Sequence, residues 1–218
     1  PRIHAMTRKD AIIEKILADA YGFGAEKPDL AAFREDMESI DYYMVQAKLD
    51  FACLRGAMLE GAKFTKSSLL GADFEGAGLN GARFEGANLG GANFRHANLA
   101  GAFFRDADLS ECVFDGANLM GAQAFFAEFA RASFSGANLK GANFEGAVLT
   151  GANFSGAELE HANFKGAELA GANLKGAQLW GARMLGARIE GVRITEDQAL
   201  ALAVAANLIT IVEAREKP

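Results

Sequence analysis

Residues 71–94 read GADFEGAGLNGARFEGANLGGANF, and the five-residue spacing of their Leu and Phe side chains continues through most of the chain. From Leu49 to Ile194, thirty centre positions follow at intervals of five, and twenty-six of them are Leu or Phe. The exceptions are Ala124, Met184, Ile189 and Ile194. The position two residues before a centre is Ala in twenty-seven units, and twenty-one of the 25 glycines lie two residues after a centre. A fixed short period predicts a solenoid rather than a globular domain.

The five-residue period matches neither the helical period nor a simple strand alternation. Within a unit, the Ala and the centre residue are two positions apart, so in extended backbone both side chains point to the same side. The following Gly adopts a positive φ without steric penalty, which suits a type II turn. Each unit is therefore predicted to be a short extended piece followed by a corner, with Ala and Leu or Phe turned inward.

The alternation of Phe and Leu centres indicates how many units make one coil. With four units and twenty residues per coil, Phe centres stack in one column and Leu centres in the next. These columns are Phe64, Phe84, Phe104, Phe144 and Phe164, and Leu69, Leu89, Leu109, Leu149 and Leu169. A three-sided coil instead mixes Phe and Leu in one column. We therefore predict an all-β solenoid, a four-sided β-helix of about seven and a half coils with neighbouring strands about 4.8 Å apart.

The repeated A-x-[LF]-x-G units of residues 47–194 resemble the pentapeptide-repeat family. The resemblance implies that the four-sided β-helix is right-handed. It implies much less about function, because one fold serves many roles.

Caps are expected at both ends of the solenoid, because open ends expose unpaired backbone groups. In residues 1–46, Thr7 is a candidate N-cap for an amphipathic helix that ends near Gly22, and a second helix follows Pro28. This α-helical N-terminal cap is either a plug for the first coil or a partner-binding element. In residues 195–218, Thr195 and the acidic residues after it predict a helix over 199–206, and a short strand is predicted over 208–212.

The predicted C-terminal helix is apolar on nearly all sides, which favours a two-fold contact between two copies of the chain. The candidate dimer interface comprises Leu200, Leu202, Val204, Leu208 and Ile209. This segment is similar to the C-terminal caps of pentapeptide-repeat proteins that protect DNA gyrase, some of which dimerise there. The expected assembly is a homodimer.

The sequence QAFFAEF around Ala124 is the informative irregularity of the repeat. Phe125 and Phe126 fall on positions that should face outward, and Phe103 is outward on the same face one coil earlier. Monomeric proteins seldom leave such a cluster exposed. Two interpretations stay open. Either the backbone bulges and one phenylalanine fills the hole at Ala124, or Phe103, Phe125 and Phe126 with Arg105 form a docking patch for a protein partner.

The formal net charge of −6 is concentrated at the ends of the chain. Residues 47–194 contain 14 basic and 15 acidic residues, so the ends carry −5. The face built around the column of Phe64, here called the Phe64 face, is predicted to carry +3, and the next face, the Leu69 face, −3. A surface that imitates DNA needs a dense negative charge, and this distribution fits that role poorly.

No catalytic, cofactor-binding or metal site is predicted. The three histidines, His4, His96 and His161, are isolated in sequence, and the last two fall on different faces. Cys53 is outward and Cys112 inward, about three coils apart, which is too far for a disulfide. No apolar run approaches the roughly 18 residues of a spanning helix, and no signal-peptide core is visible. We expect a cytoplasmic location.

The sequence therefore favours two possible functions. The first is a non-enzymatic protein-interaction module with an unidentified protein partner and no direct contact with nucleic acid or membrane. The second follows from the resemblance: a DNA-mimicking protein that binds DNA gyrase or a related topoisomerase and confers protection from quinolone-like inhibitors. A folded appendage for targeting is a third possibility, for which the sequence contains no signal.

Overall fold

The computed structural model describes residues 45–206, which form a stack of four-sided coils followed by a short helix. Most of the predicted N-terminal cap, 1–46, lies outside the described residues, as does the strand predicted over 208–212.

Parallel β-bridges hold the coils together. Each bridge joins the residue before a centre to the residue twenty positions later, from Lys48 with Ser68 to Asn173 with Arg193. Turns flank every bridge, so the extended pieces within residues 45–206 do not grow into longer strands. An offset of twenty residues equals four five-residue units. This confirms the predicted four-sided coil and rules out the three-sided one.

The corners of the coil have the predicted backbone conformation. All thirty corner residues from Gln46 to Gly191 have a positive φ, and twenty-one of them are glycine. The corner after Leu49 is closed by a hydrogen bond of 3.1 Å from the N–H of Ala52 to the Leu49 carbonyl. A positive φ at only the third of the four turn residues is typical of a type II turn. The non-glycine corners are Gln46, Phe51, Lys66, His96, Asp106, Glu111, Phe126, Arg131 and His161.

One unit, residues 92–96, illustrates how the backbone N–H groups are satisfied. Four of its five N–H groups donate to carbonyls, either across the corner or in the coils before and after, at 2.7–3.1 Å. The fifth, that of Arg95, donates to the side-chain oxygen of Asn93 at 3.2 Å. The same side chain donates to Asp73 of the preceding coil at 2.9 Å.

Nine asparagines precede a centre residue. The side-chain oxygen of each accepts a hydrogen bond from the backbone N–H two positions later, as in Asn93 and Arg95. This role of Asn was not predicted from the sequence. Its signal is the recurrence of Asn immediately before the centre. Three of these bonds, those of Asn138, Asn143 and Asn153, are part-buried, where an N–H without a partner is most destabilising.

Two columns of phenylalanine rings, one from each of two opposite faces, fill the interior. On the Phe64 face, Phe84 stacks on Phe64 at 5.0 Å and on Phe104 at 5.2 Å between centroids. Phe74 belongs to the opposite column and meets Phe84 edge to face at 5.9 Å. Leucine columns line the other two faces, and all of these centre side chains are buried from Leu49 to Met184. The predicted Phe and Leu columns are confirmed.

The C-terminal end of the described chain contains a 3₁₀ turn, Glu196–Gln198, and helix α1, Ala199–Ala205. The helix agrees with the predicted span to within one residue. Within residues 45–206, no helix has the length and apolar character that a membrane crossing requires.

Candidate protein-docking site

The predicted docking patch lies on the Phe64 face, near the middle of the stack. Its members Phe103, Phe125, Phe126 and Arg105 are here called the Phe patch. The side chain of Phe126 is 58% exposed and that of Phe103 is 39% exposed, whereas Phe125 is half-buried. Phe125 and Phe126 meet edge to face at 6.1 Å between ring centroids. The structure therefore presents aromatic surface on two successive coils of one face.

An arginine from the preceding coil lies over the ring of Phe103, and another lies over the ring of Phe125. The guanidinium of Arg83 lies 5.8 Å from the centroid of Phe103, and that of Arg105 lies 5.6 Å from the centroid of Phe125. Both distances fall within the range of a cation–π contact. Arg83 also donates from two nitrogens to Glu85, and this hydrogen bond is the main reason that the pKa of Arg83 is raised. Both arginines therefore contact a Phe ring and an acidic side chain of the same face, Glu85 for Arg83 and Asp106 for Arg105.

Of the two interpretations, the one in which the backbone bulges and an outward phenylalanine fills the hole at Ala124 is wrong. The ladder continues without a bulge, because the N–H of Ala124 donates to Asn143 at 2.8 Å and that of Phe126 to Glu145 at 3.0 Å. The space is instead filled by Phe129, a centre residue of the Leu69 face. Its ring lies between Phe104, at 6.5 Å, and Phe144, at 5.5 Å. An Ala in the Phe column is thus compensated by a Phe in the neighbouring Leu column.

The ring of Phe126 packs in a defined position on the surface. It lies at a corner with φ of 60°, and its ring packs over Gly146 one coil later. A Cβ atom at Gly146 would lie 2.6 Å from the ring. Phe51 repeats this arrangement at another corner, over Gly71, with a side chain that is 79% exposed. Phe51 is therefore a natural comparison for Phe126.

Most carboxylates of the coil are paired with basic side chains. Ten of the fifteen acidic residues between positions 47 and 194 lie within 4.0 Å of a Lys or Arg nitrogen. On the face that includes Lys140, for example, its Nζ lies 2.9 Å from Glu158 and 3.5 Å from Glu160. The bond to Glu158 is the first cause of the raised pKa of Lys140. This pairing reduces the negative field at the surface.

The side chain of Gln198 closes the last coil. Its amide nitrogen donates to the carbonyls of Leu174 and Ala177, both at 2.7 Å. Its amide oxygen accepts the N–H groups of Gly176, at 3.2 Å, and of Thr195, at 2.9 Å. In the middle of the stack, backbone groups such as the Ala177 carbonyl and the Gly176 N–H bond to the next coil. At the end of the stack, the side-chain amide of Gln198 bonds to them instead. The sequence predicted Thr195 as the cap, and the role of Gln198 was not predicted.

The candidate dimer interface divides into three groups. Leu200 and Val204 of α1 are exposed, whereas Leu202 is buried against the last coil. Leu202 therefore belongs to the core, because α1 places its side chain on the opposite side from Leu200. Its assignment to a dimer surface was wrong. Leu208 and Ile209 lie outside the described residues.

Other candidate reactive groups are separate from one another. His96 packs over Gly116, and His161 packs over Gly181 and against Trp180 on another face. Cys53 is half-buried, and Cys112 is buried with its thiol donating to the Leu89 carbonyl at 3.1 Å. Desolvation raises the pKa of the Cys112 thiol. Among residues 45–206, no group of three His, Cys, Asp or Glu side chains is placed to hold a metal ion.

Solved structures that are similar to this chain are themselves pentapeptide repeat proteins. HetL from the cyanobacterium Nostoc sp. strain PCC 7120, involved in heterocyst differentiation regulation, is 29% identical over 68% of this chain and 79% of its own, with a TM-score of 0.38. A trypsin-treated variant of QnrB1, a plasmid-mediated fluoroquinolone resistance protein, is 24% identical over 76% and 98%, with a TM-score of 0.40. A protein of the Arabidopsis thaliana thylakoid lumen is 31% identical over 56% and 77%, with a TM-score of 0.33. No curated protein matches the chain significantly.

The family model for pentapeptide repeats matches the chain in overlapping segments that cover residues 43–122 and 127–196. The four residues that it omits, 123–126, are those where Ala replaces a large centre and Phe125 and Phe126 face outward. The rest of the stack follows the family pattern of a right-handed quadrilateral β-helix. The chain belongs to the pentapeptide repeat family.

Proposed function

We propose that this protein is a non-enzymatic interaction module that binds a protein partner through the Phe patch. The observation that carries the proposal is the exposure of Phe126, at 58%, together with Phe103 on the same face. Protein surfaces seldom present clustered aromatic side chains without a partner. Aromatic and arginine side chains are also the types most enriched at the energetic centres of interfaces.

The Phe patch is preorganised for binding. Phe126 rests on Gly146, Phe125 contacts Phe126 edge to face, and Arg105 lies over Phe125. These contacts fix the side chains on a backbone whose units are hydrogen-bonded to the coils on both sides. Because little conformational freedom remains to be lost on association, more of the contact energy appears as affinity.

Replacement of Phe126 by Gly tests the proposal. Gly is the usual residue at this corner, so the variant should fold with an unchanged or slightly raised melting temperature, and with Phe125→Ser it should lose partner capture. Phe51→Gly is the matched control, because Phe51 has the same corner conformation and the same seat on a glycine. The readout is affinity capture with the purified protein, quantified by mass spectrometry. Equal capture by the wild type and the Phe125/Phe126 variant would contradict the proposal.

The second candidate is a topoisomerase-binding protein that protects DNA gyrase from quinolone-like inhibitors. Exposed Leu200 and Val204 at the end of the rod favour it, since a two-fold contact there gives an elongated dimer. The same family includes QnrB1, a fluoroquinolone resistance protein. The extensive pairing of carboxylates argues against imitation of DNA. A gyrase supercoiling assay, with and without drug, tests this function, and light scattering tests the dimer.

A further inference from the structure

The Phe patch lies on the most positively charged face of the coil. The Phe64 face carries six basic and three acidic residues, a net charge of +3. Residues 47–194 carry a net −1, so the other three faces together carry −4. Charge complementarity across an interface selects partners and accelerates their encounter. The positive net charge of the Phe64 face therefore favours a partner with negative charge.

The positive charge is concentrated on the N-terminal side of the aromatic rings. Lys66 occupies the same corner column as Phe126, sixty residues and hence three coils earlier, about 14 Å away at the spacing of neighbouring strands. Arg83 and Arg105 lie between them along the face and contact Phe103 and Phe125. On the C-terminal side, the next two coils carry Asn143 and Asn163 and the paired residues Glu145 and Lys165, and the next basic residue, Arg183, follows three coils after Gln123.

We infer that the Phe patch binds an acidic peptide segment that carries an apolar side chain next to its carboxylates. This inference rests on the proposed function and names the chemistry of the partner. The apolar side chain contacts Phe125 and Phe126, and the carboxylates lie toward Arg105, Arg83 and Lys66. A span of about 14 Å corresponds to roughly four extended residues. The recognised segment is therefore short, with two or three acidic residues within about four positions of the apolar one.

Single-stranded nucleic acid is the other acidic polymer that binds to aromatic and basic side chains, and it fits this surface less well. Base stacking requires open ring faces. Arg83 covers a face of Phe103, and Arg105 covers a face of Phe125, so these two rings offer less surface for stacking.

Fluorescence anisotropy with synthetic probes tests the inference. The probes are a fluorescein-labelled peptide with three glutamates followed by Leu and Phe, the same peptide with lysine in place of each glutamate, and an oligothymidylate. We expect the full chain to bind the acidic peptide, to bind the lysine peptide weakly or not at all, and to lose affinity as salt is raised. Arg105→Gln should weaken binding by up to about fivefold, the upper end for an exposed charge pair. Arg131→Gln on the Leu69 face, which also removes an arginine paired with a carboxylate, should leave binding unchanged.

Each outcome separates this inference from the proposed function. If the acidic peptide shows no binding at about 1 mM, the weakest affinity of practical interest, or if the lysine peptide or the oligothymidylate binds as tightly, the inference is overturned. Partner capture that depends on Phe125 and Phe126 would in that case still support the docking function. If neither capture nor peptide binding depends on Phe125 and Phe126, both proposals fail.

Discussion

At the scale of single residues, two side chains determine how the coil ends and what its surface carries. Gln198 satisfies four backbone groups at the last coil. Phe126 occupies a corner that is glycine in most units and rests on the glycine one coil later. Neither role follows from local propensity, because each depends on a residue about twenty positions away.

Replacement of Gln198 by Ala should destabilise the protein by about 1–3 kcal/mol, because it removes the side-chain partner of the Ala177 carbonyl and of the Gly176 and Thr195 N–H groups. Chemical denaturation of the full chain measures the change. The control is Gln178→Ala, which removes an exposed glutamine on the preceding coil and should shift stability by no more than about 0.5 kcal/mol. Equal effects of the two substitutions would show that the amide of Gln198 does not close the stack.

Replacement of Gly146 by Ala should be more destabilising than replacement of Gly136 by Ala. Both corners have a positive φ, so both variants acquire a backbone strain of about 1–2 kcal/mol. Only at Gly146 does the new Cβ meet a ring, that of Phe126, and the clash should add about 1 kcal/mol or displace the ring. In a Phe126→Gly background the two alanine substitutions should become equivalent. Thermal unfolding of the four variants tests this, and a difference that persists without Phe126 would disprove the contact.

At the scale of the repeat unit, the irregular segment keeps the interior volume constant by an exchange between neighbouring columns. Ala124 leaves room in the Phe column, and Phe129 of the Leu69 face extends into it. The exchange preserves the ladder, so the outward residues Phe125 and Phe126 stay in register. The arrangement of the Phe patch therefore depends on a core adjustment on the inner side of the same units.

A double-mutant cycle should reveal this exchange. Phe129→Leu alone should leave a cavity and destabilise the protein by about 1–3 kcal/mol, and Ala124→Phe alone should overpack it by about 1–3 kcal/mol. The double variant restores the pattern of the other coils and should recover most of the loss. A coupling energy near zero, measured by urea denaturation, would mean that the two positions do not share one space.

The fold of the described coils was predictable because the five-residue period and the Phe and Leu alternation express the packing directly. Asn recurs before the centre in the sequence. To predict its role, however, one must know which backbone N–H group has no carbonyl partner in the ladder. The filling of the Ala124 site by Phe129 was not predictable, since it depends on ring orientation in three dimensions. The burial of Leu202 likewise depends on how α1 lies against the last coil.

At the scale of the whole molecule, each coil contacts its neighbours through the same ladder, so burial in the middle of the stack is nearly complete. Cys112 lies there at 0% exposure, in a position that is Ala in most units. A titratable group in such a place couples the stability of the stack to pH, because only unfolding exposes it to water.

Stability should fall at alkaline pH because of Cys112. Its pKa is raised in the folded state by desolvation, so the thiol contributes no pH dependence below its ordinary pKa of about 8.5. Above that pH the unfolded chain loses the proton first, and stability decreases by up to about 1.4 kcal/mol per pH unit. Cys112→Ala should flatten this part of the profile. Urea midpoints from pH 7 to 10 compare the two proteins, and identical slopes would exclude the thiol as the cause.

The twenty-residue coil also constrains how a chain of this kind changes length during evolution. A gain or loss of five residues shifts every later unit to the neighbouring face. Phe centres after the change would then stack on Leu centres before it. An insertion or deletion of twenty residues keeps every column intact and only lengthens or shortens the rod. Whole coils are therefore the natural step of growth, and only such steps preserve the angle at which the Phe patch faces relative to α1.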